Sequence, residues 1–314
     1  MDSKEKIREA VLDMMSKAEM VKIGNGHGYV GLVEPVKGKK LAGVTTITSG
    51  LSGFTTNIAA NWGAKEMSIA LGDYDEYEGE EPELETAKEI LNEIKSIESV
   101  EEYIKYIRSA KKRHKEKSKK ALDVGKKGHE IVEKYVKSRI RNEEPKLDYI
   151  GDEFIDKALK KFYEWSKDVV FYLSEARVCM IDPYETETII NGKRVKQIKH
   201  TEYAGTLDIL AGVNGELAVV DIKFAERIGR EFKSQTAAYA KTFSLYGIEV
   251  LNRIIIRMPK SEFTKQYNKI TRKYKKVANR IEIEHLPKDK LEFDFNAFLN
   301  ERETFRWKNA TVNK

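Results

Sequence analysis

The chain has 314 residues, a net charge of +6, and 34% charged against 40% hydrophobic residues. This length and balance suit a folded domain with a sizeable core and exclude a disordered chain. Cys179 is the only cysteine, which excludes a disulfide framework, a zinc knuckle and a four-cysteine iron–sulfur cluster.

The N-terminal part of the chain predicts helices and short strands. Residues 2–9 are charged and lack the apolar core of a signal peptide, and no apolar run approaches the ~18 residues of a membrane span. We therefore expect a cytoplasmic protein with no membrane partner. Helical periodicity covers Lys4–Val21, glycines punctuate 24–43 as in short strands or loops, and another helix follows Ser52. The acidic run 73–85 predicts a loop.

The middle of the chain predicts long helices. Residues 100–139 fit one long helix, or two with a break near Gly125, and 154–167 fit an amphipathic helix. Two segments, 111–127 and 257–280, are strongly basic. Separated basic segments suit a polyanion partner, although such runs are often only solvated faces.

The second half of the chain predicts a mixed sheet. A strand over 168–180 carries Glu175, and a hairpin joins 185–190 to 194–199 across Asn191-Gly192. A helix over 230–245 and a buried strand over 250–258 follow. This order of elements indicates an α/β architecture with helices packed on a mixed sheet.

A second Asn-Gly pair, Asn214-Gly215, separates two apolar runs and is typical of a type I′ hairpin. Counting outward from this turn pairs Asp208 with Asp221, and the pleat places Lys223 on the same face as Asp221. Directly opposed carboxylates repel one another across roughly 5 Å. A bound divalent cation would account for their placement.

Such a site suits metal-dependent phosphodiester hydrolysis, because cations held by carboxylates activate water and neutralise charge on the phosphate. The Ile222 carbonyl is a candidate third ligand, and Lys223 could orient the attacking water. The alternative is an Asp–Lys ion pair on an exposed sheet. The nearly apolar run 217–223 argues against exposure of Asp221.

Other candidate residues are weaker when taken singly. Glu175 in its strand could instead be a solvated residue paired with Arg177. His129 lies one helical turn from Glu133 and could be an ordinary core or surface histidine. Gln235 and Tyr239, also one turn apart, could contact nucleic acid or form an ordinary amphipathic helix face.

Together these motifs resemble the RecB-type exonuclease branch of the PD-(D/E)XK nuclease superfamily. The resemblance covers about 121–258 and rests on motifs in the family's order, namely Gly125 with His129, Glu175, Gly205-Thr206-Leu207-Asp208, Asp221-Ile222-Lys223, and Gln235 with Tyr239. A fainter likeness to phage and mitochondrial genome-maintenance exonucleases lies around 43–62. Phe224 departs from the family, which often has threonine or serine after the lysine.

The resemblance implies a restriction-endonuclease-like core with a mixed central β-sheet flanked by helices. It also implies Mg²⁺, or Mn²⁺ as its substitute, with no iron–sulfur cluster. Asp208 and Asp221 would ligate the metal, and His129 would complete or flank its shell. Lys223 would position the water, and Glu175 would hold a second ion or water. The expected DNA contacts are Gln235, Tyr239, Gly205, Thr206, Lys111, Lys112 and Arg113.

We therefore expect a helical N-terminal elaboration over 1–110, with its acidic loop, and a nuclease core over 111–314. The expected function is a metal-dependent DNA exonuclease of viral or cellular replication, recombination or repair, with partner proteins from those processes. The absence of a phosphate-binding P-loop motif from the sequence predicts no nucleotide cofactor. Alternatives are a structure- or site-specific endonuclease on the same core, or a non-catalytic nucleic-acid-binding protein.

Overall fold

A computed structural model describes residues 3–23, 26–50, 92, 96–190, 193–260, 262–268 and 273–310. The acidic run 73–85 and the helix predicted after Ser52 lie outside these residues. No helix within the described residues is both long and apolar enough to cross a membrane.

The described helices and strands come in short runs along the chain. The helices are α1 (Ser3–Lys17), α2 (Val44–Gly50), α3 (Val100–Ile140), α4 (Glu153–Trp165), α5 (Arg230–Ser244) and α6 (Leu291–Ala310). The strands are β1 (Ala18–Ile23), β2 (Gly26–Gly31), β3 (Lys40–Leu41), β4 (Val170–Ile190), β5 (Lys193–Val213), β6 (Glu216–Phe224), β7 (Asn252–Met258), β8 (Phe263–Asn268), β9 (Lys273–Ala278) and β10 (Glu282–Leu286).

The centre of the fold is a five-stranded sheet with the order β10-β7-β6-β5-β4. β6 and β7 run parallel, and the other neighbouring pairs are antiparallel. Helix α5 makes the connection from β6 to β7, as a parallel pair requires. The expectation of a mixed α/β sheet flanked by helices is confirmed.

Two hydrophobic layers cover opposite faces of this sheet. Adjacent residues of β6 face opposite sides of the sheet, so Val219 packs in one layer and Val220 in the other. The Val219 layer holds α1, α2, α5 and α6, and the Val220 layer holds α3 and α4. Burial of both faces explains why 217–223 is nearly continuous in apolar residues.

The β5–β6 hairpin has the predicted register. Val213 pairs with Glu216, and the ladder continues to Ile209 opposite Val220. Asn214 and Gly215 both have positive φ, 53° and 82°, as the two central residues of a type I′ turn require. Asp208 and Asp221 are the next positions outward on the two strands.

Strands β4 and β5 extend beyond the sheet as a two-stranded ribbon. Their ladder runs from Val170 opposite Gly212 to Ile190 opposite Lys193, whereas β6 pairs only with the last five residues of β5. The predicted turn residues Asn191-Gly192 lie outside the described part of the chain. Because β4 and β5 are antiparallel, the free end of this ribbon is the end remote from the Asn214-Gly215 turn.

The N-terminal region is not purely helical. β1, β2 and β3 form their own three-stranded sheet, and α1 and α2 pack into the hydrophobic layer on the Val219 face. The Ala204 amide donates to the Ala42 carbonyl over 3.2 Å, which joins this region to β5. The proposed boundary at 110/111 falls inside α3 and stays a prediction.

Helix α3 is one continuous helix of 41 residues, so the alternative with a break near Gly125 is wrong. The Ser99 side chain caps its start by accepting from the Glu102 amide over 3.1 Å. Gly125 and Gly128 instead lie where the helix passes close to Phe224. Gly128 reflects a close contact between neighbouring elements, whereas Gly125 is only in ordinary van der Waals contact with Phe224, and neither interrupts the helix.

Candidate metal centre

Three ligand-type side chains from three different elements meet at one point. His129 of α3, Glu175 of β4 and Asp208 of β5 each offer a ligand atom, and these atoms all lie within 4.8 Å of one another. His129 Nδ1 is 3.9 Å from Asp208 Oδ2. One imidazole nitrogen and two carboxylate oxygens form a donor set that a divalent cation can use.

Asp221 lies behind this cluster in the protein interior. Its side chain is 1% exposed, and Oδ1 accepts from Lys223 Nζ over 2.8 Å and from Gln235 Nε2 over 3.3 Å. Oδ2 is also buried and has no hydrogen-bond partner among the described residues. A buried carboxylate oxygen without a partner is costly, so this atom fits the role of a metal ligand.

Ile222 links the two predicted aspartates through its backbone. The Ile222 amide donates to Asp208 Oδ2 over 2.8 Å, which fixes the Asp208 carboxylate against β6. The Ile222 side chain is buried in the layer with α3 and α4. The predicted ligand role of its carbonyl stays a prediction.

Glu175 occupies a strained position in a crowd of carboxylates. Its φ of 49° lies in the left-handed region, which is costly for a residue other than glycine and is a feature of functional sites. Burial, followed by the nearby Asp208 and Glu133 charges, raises the Glu175 pKa to about 8. A cation at the cluster would relieve this repulsion.

The pKa shifts of the other titratable groups favour a charged Lys223 and a neutral His129. Burial raises the pKa of Asp221, although the Lys223 ammonium opposes this shift. Burial alone would lower the Lys223 pKa, but the Asp221 and Asp208 carboxylates outweigh it and raise that pKa. Burial lowers the His129 pKa, which favours the neutral imidazole that can bind a metal.

Gln235 and Tyr239 are both buried, and their hydrogen bonds support the Asp221 carboxylate. Gln235 Nε2 donates to Asp221 and also to the Tyr239 hydroxyl, over 3.4 Å. The predicted DNA contacts of these two residues stay a prediction. What the geometry shows is that they orient the Asp221 carboxylate.

Gly205 and Thr206 have separate structural roles. A Cβ atom on Gly205 would lie 2.7 Å from Cε1 of Tyr239, so only glycine fits at this point of close approach. The hydroxyls of Thr206 and Tyr29 are 3.0 Å apart and hydrogen-bond. Burial raises the pKa of the Tyr239 hydroxyl, and the nearby Thr45 side chain opposes that shift.

The departure at Phe224 has a local explanation. The Phe224 ring packs on the backbone of Gly128, where a Cβ would lie 2.0 Å from its Cζ. The same ring lies 5.6 Å, centroid to centroid, from the His129 imidazole. Gly128, immediately before His129, therefore leaves room for the large Phe224 side chain that follows Lys223. Phe224 and Gly128 together position the imidazole.

Gly128→Ala is expected to destabilise the fold by roughly 1 kcal/mol or more, because the new methyl group displaces the Phe224 ring. Urea unfolding measures the loss. Phe224→Leu combined with Gly128→Ala should recover part of it, whereas Gly125→Ala, with its nearest neighbour 3.8 Å away, is the matched control. Equal stabilities of the two glycine variants would contradict this account.

The sequence analysis named Glu133 only as a neighbour of His129, and assigned no role at the site to Lys137, Tyr29 or Lys260. Glu133 and Lys137 form an ion pair one helical turn apart on α3, and both influence the Glu175 carboxyl. The available signal was the Glu–Lys spacing of four on the His129 face. Tyr29 and Lys260 reach the site through tertiary contacts, for which the sequence carries no local pattern.

The predicted DNA-contacting residues at the start of the core are only partly visible. The α3 backbone passes through them, but their side chains lie outside what the structure describes. The predicted DNA contacts of Lys111, Lys112 and Arg113 therefore stay predictions.

Comparisons with known proteins provide no family assignment. No family model matches the chain, and no curated protein matches it. Among solved structures, one described as "Crystal structure of SSO0001" aligns with 13% identity and a TM-score of 0.21. The alignment covers 46% of this chain and 56% of that structure, so the chain spans little more than half of its length. A likeness at that TM-score carries no argument about function.

Proposed function

We propose that this protein is a metal-dependent deoxyribonuclease that degrades DNA from free ends, with a PD-(D/E)XK core of the RecB exonuclease type. The observation that carries the proposal is the meeting of His129, Glu175 and Asp208 beside the buried Asp221–Lys223 pair. Five motifs with the family's spacing in the sequence support it. Mg²⁺ is the proposed resident ion, and Mn²⁺ its substitute.

The donor atoms of the residues present fit such an ion. Asp208 would hold it together with Oδ2 of Asp221, which no described residue partners, and Glu175 and His129 would complete or flank the site. When bound, the ion supplies a water of lowered pKa and neutralises charge on the phosphate. Its charge would also favour ionised Glu175 and Asp221, whose pKa values burial raises.

The chain's own groups prepare the site for hydrolysis. Lys223 stays protonated beside Asp221, so its ammonium can donate to the attacking water or to a phosphate oxygen. Gln235 and Tyr239 keep Asp221 in one orientation. The Ile222 amide does the same for Asp208. The reacting groups are thus fixed before substrate arrives, which lowers the reorganisation needed for catalysis.

The test is digestion of single- and double-stranded DNA labelled at the 5′ or the 3′ end, with covalently closed circles as a further substrate. We expect Mg²⁺-dependent loss of linear DNA, sparing of circles and no cleavage in EDTA. Lys223→Met should slow cleavage by about 100-fold. Lys288→Met, at an exposed lysine paired with Glu216, is the matched control and should cleave normally.

Other outcomes identify the alternatives. Cleavage of closed circles would assign an endonuclease to the same residues. Full activity of Lys223→Met, with circular dichroism confirming that both variants are folded, would refute the site assignment. Failure to cut any DNA with any divalent metal would leave a nucleic-acid-binding protein.

A further inference from the structure

A pocket of about 350 Å³ opens beside the metal centre. The N-terminal region forms one side of the pocket through Met20, Tyr29, Thr45 and Thr46, and β5 forms the other through Thr206. Glu175 belongs both to this pocket and to the cluster with His129 and Asp208. The pocket and the metal centre therefore share a wall.

The walls of the pocket are fixed by contacts across it and behind it. The Tyr29 and Thr206 hydroxyls bond across the two sides over 3.0 Å. Val44 and Ile47 of α2 are fully buried in the hydrophobic layer on the Val219 face. The Thr45 side chain lies close enough to the hydroxyl of Tyr239, in α5, to lower its pKa against the larger effect of burial. These contacts give the pocket a defined shape, as preformed ligand sites have.

The lining has the chemistry of a site for a neutral group. Of the described residues that line the pocket, only Glu175 carries a charge. Among these lining residues a phosphate would meet the Glu175 carboxylate, and Arg177 acts on the Tyr29 hydroxyl from outside the lining. The described lining itself therefore disfavours a phosphate. Hydroxyl groups next to the partly exposed Met20 and the Tyr29 ring instead suit a flat group with apolar faces and polar edges. A nucleobase with its sugar has this character.

We propose that the pocket takes the sugar and base of the nucleotide directly attached to the scissile phosphate. The inference rests on the proposed nuclease function and names the part of the substrate that the N-terminal region binds. A phosphate at the metal centre places its own nucleoside next to Glu175, where the pocket opens. The N-terminal region thereby becomes part of the substrate site.

The first test is a scan of single abasic nucleotides through a labelled single-stranded DNA, with cleavage followed bond by bond. One abasic position next to the scissile bond should slow the wild-type enzyme by about 10-fold or more. Thr46→Trp, which fills the pocket, should lower kcat/KM on normal DNA by at least about 10-fold. That variant should also lose its sensitivity to the abasic position. Leu32→Trp, at an exposed site of the same region, should match wild type.

Met20→Trp fills the pocket from its exposed rim and replaces Thr46→Trp if the latter does not fold. Two results would overturn nucleoside binding in the pocket and leave the nuclease assignment standing. One is wild-type cleavage without any position-specific abasic effect, and the other is normal activity of Thr46→Trp or Met20→Trp in its folded form. Failure of the wild type to cleave DNA would overturn the nuclease assignment instead.

A binding measurement decides the pocket independently of cleavage. In EDTA, 2-aminopurine placed at successive positions near a DNA end should change its emission at one position on binding wild type. The change should disappear with Thr46→Trp or Met20→Trp and persist with Leu32→Trp. An emission change that survives both filled variants, or none at any position, would overturn the proposal.

Discussion

Replacement of Asp221 by asparagine is expected to lower kcat/KM for DNA by about 1,000-fold or more. If Asp221 helps to hold the ion, losing its charge removes several kcal/mol of transition-state stabilisation, and each 1.4 kcal/mol is tenfold in rate. Asparagine retains an oxygen that can accept from Lys223 and Gln235, so the shape of the site is kept. The effect should therefore fall on catalysis rather than on folding.

Cleavage of end-labelled DNA and fluorescence anisotropy with the same DNA measure the two properties separately. Asp221→Asn should bind DNA within a few-fold of wild type while failing to cut it. Asp182→Asn, an exposed aspartate of β4, is the matched control and should cut normally. Cleavage by Asp221→Asn within tenfold of wild type would rule out Asp221 as a ligand of the catalytic ion.

Replacement of Glu175 by glutamine is expected to stabilise the metal-free protein by about 2 kcal/mol at pH 9. The Glu175 pKa rises from an ordinary 4.5 to about 8 in the folded state, so the fold disfavours the ionised carboxylate. The value allows for solvent screening, because this side chain is only partly buried. The left-handed backbone at position 175 is unchanged by this substitution, so the difference reports the charge.

The sign of the pH dependence follows from the direction of that shift. A group with a raised folded-state pKa contributes its full stability below pH 4.5, and this contribution is lost as the pH rises through about 8. Wild type and Glu175→Gln should thus have similar stability near pH 4 and diverge toward pH 9. Urea unfolding in EDTA measures the difference.

Glu187→Gln is the matched control for this experiment, because Glu187 is an exposed residue of the same strand. Its stability should follow that of wild type at every pH. A Glu175→Gln variant that is less stable than wild type at pH 9 would contradict the proposed repulsion. Adding Mg²⁺ should narrow the gap between wild type and variant, because a bound ion stabilises the folded wild type.

The part of the site that lies on β5 and β6 could be predicted from the sequence. Asn214-Gly215 determines the register, and the paired ladder reaches Ile209 opposite Val220, one position before Asp208 and Asp221. The apolar run through 217–223 indicated that Asp221 is buried, and it is. Both inferences rest on interactions between residues close together in the chain, which sequence patterns describe well.

The parts that could not be predicted depend on contacts between distant segments. The sequence alone does not show that Tyr29 bonds Thr206, 177 positions away. Nor does a strand pattern indicate the left-handed backbone of Glu175. The close contact of Gly128 in α3 with Phe224 is likewise known only once the sheet is formed. In each case tertiary packing decides the outcome.

The long β4–β5 ribbon and the short β5–β6 turn differ in how much change in chain length they can accept. The register of Asp208 against Asp221 is counted from Asn214-Gly215, so inserting one residue there would turn one carboxylate to the opposite face. The free end of the ribbon lies many pairs away from both aspartates. Shortening it by matched residues on β4 and β5 preserves every alignment nearer the sheet. Protein engineering that requires a fused tag or a trimmed loop should therefore use the ribbon end and leave the turn intact.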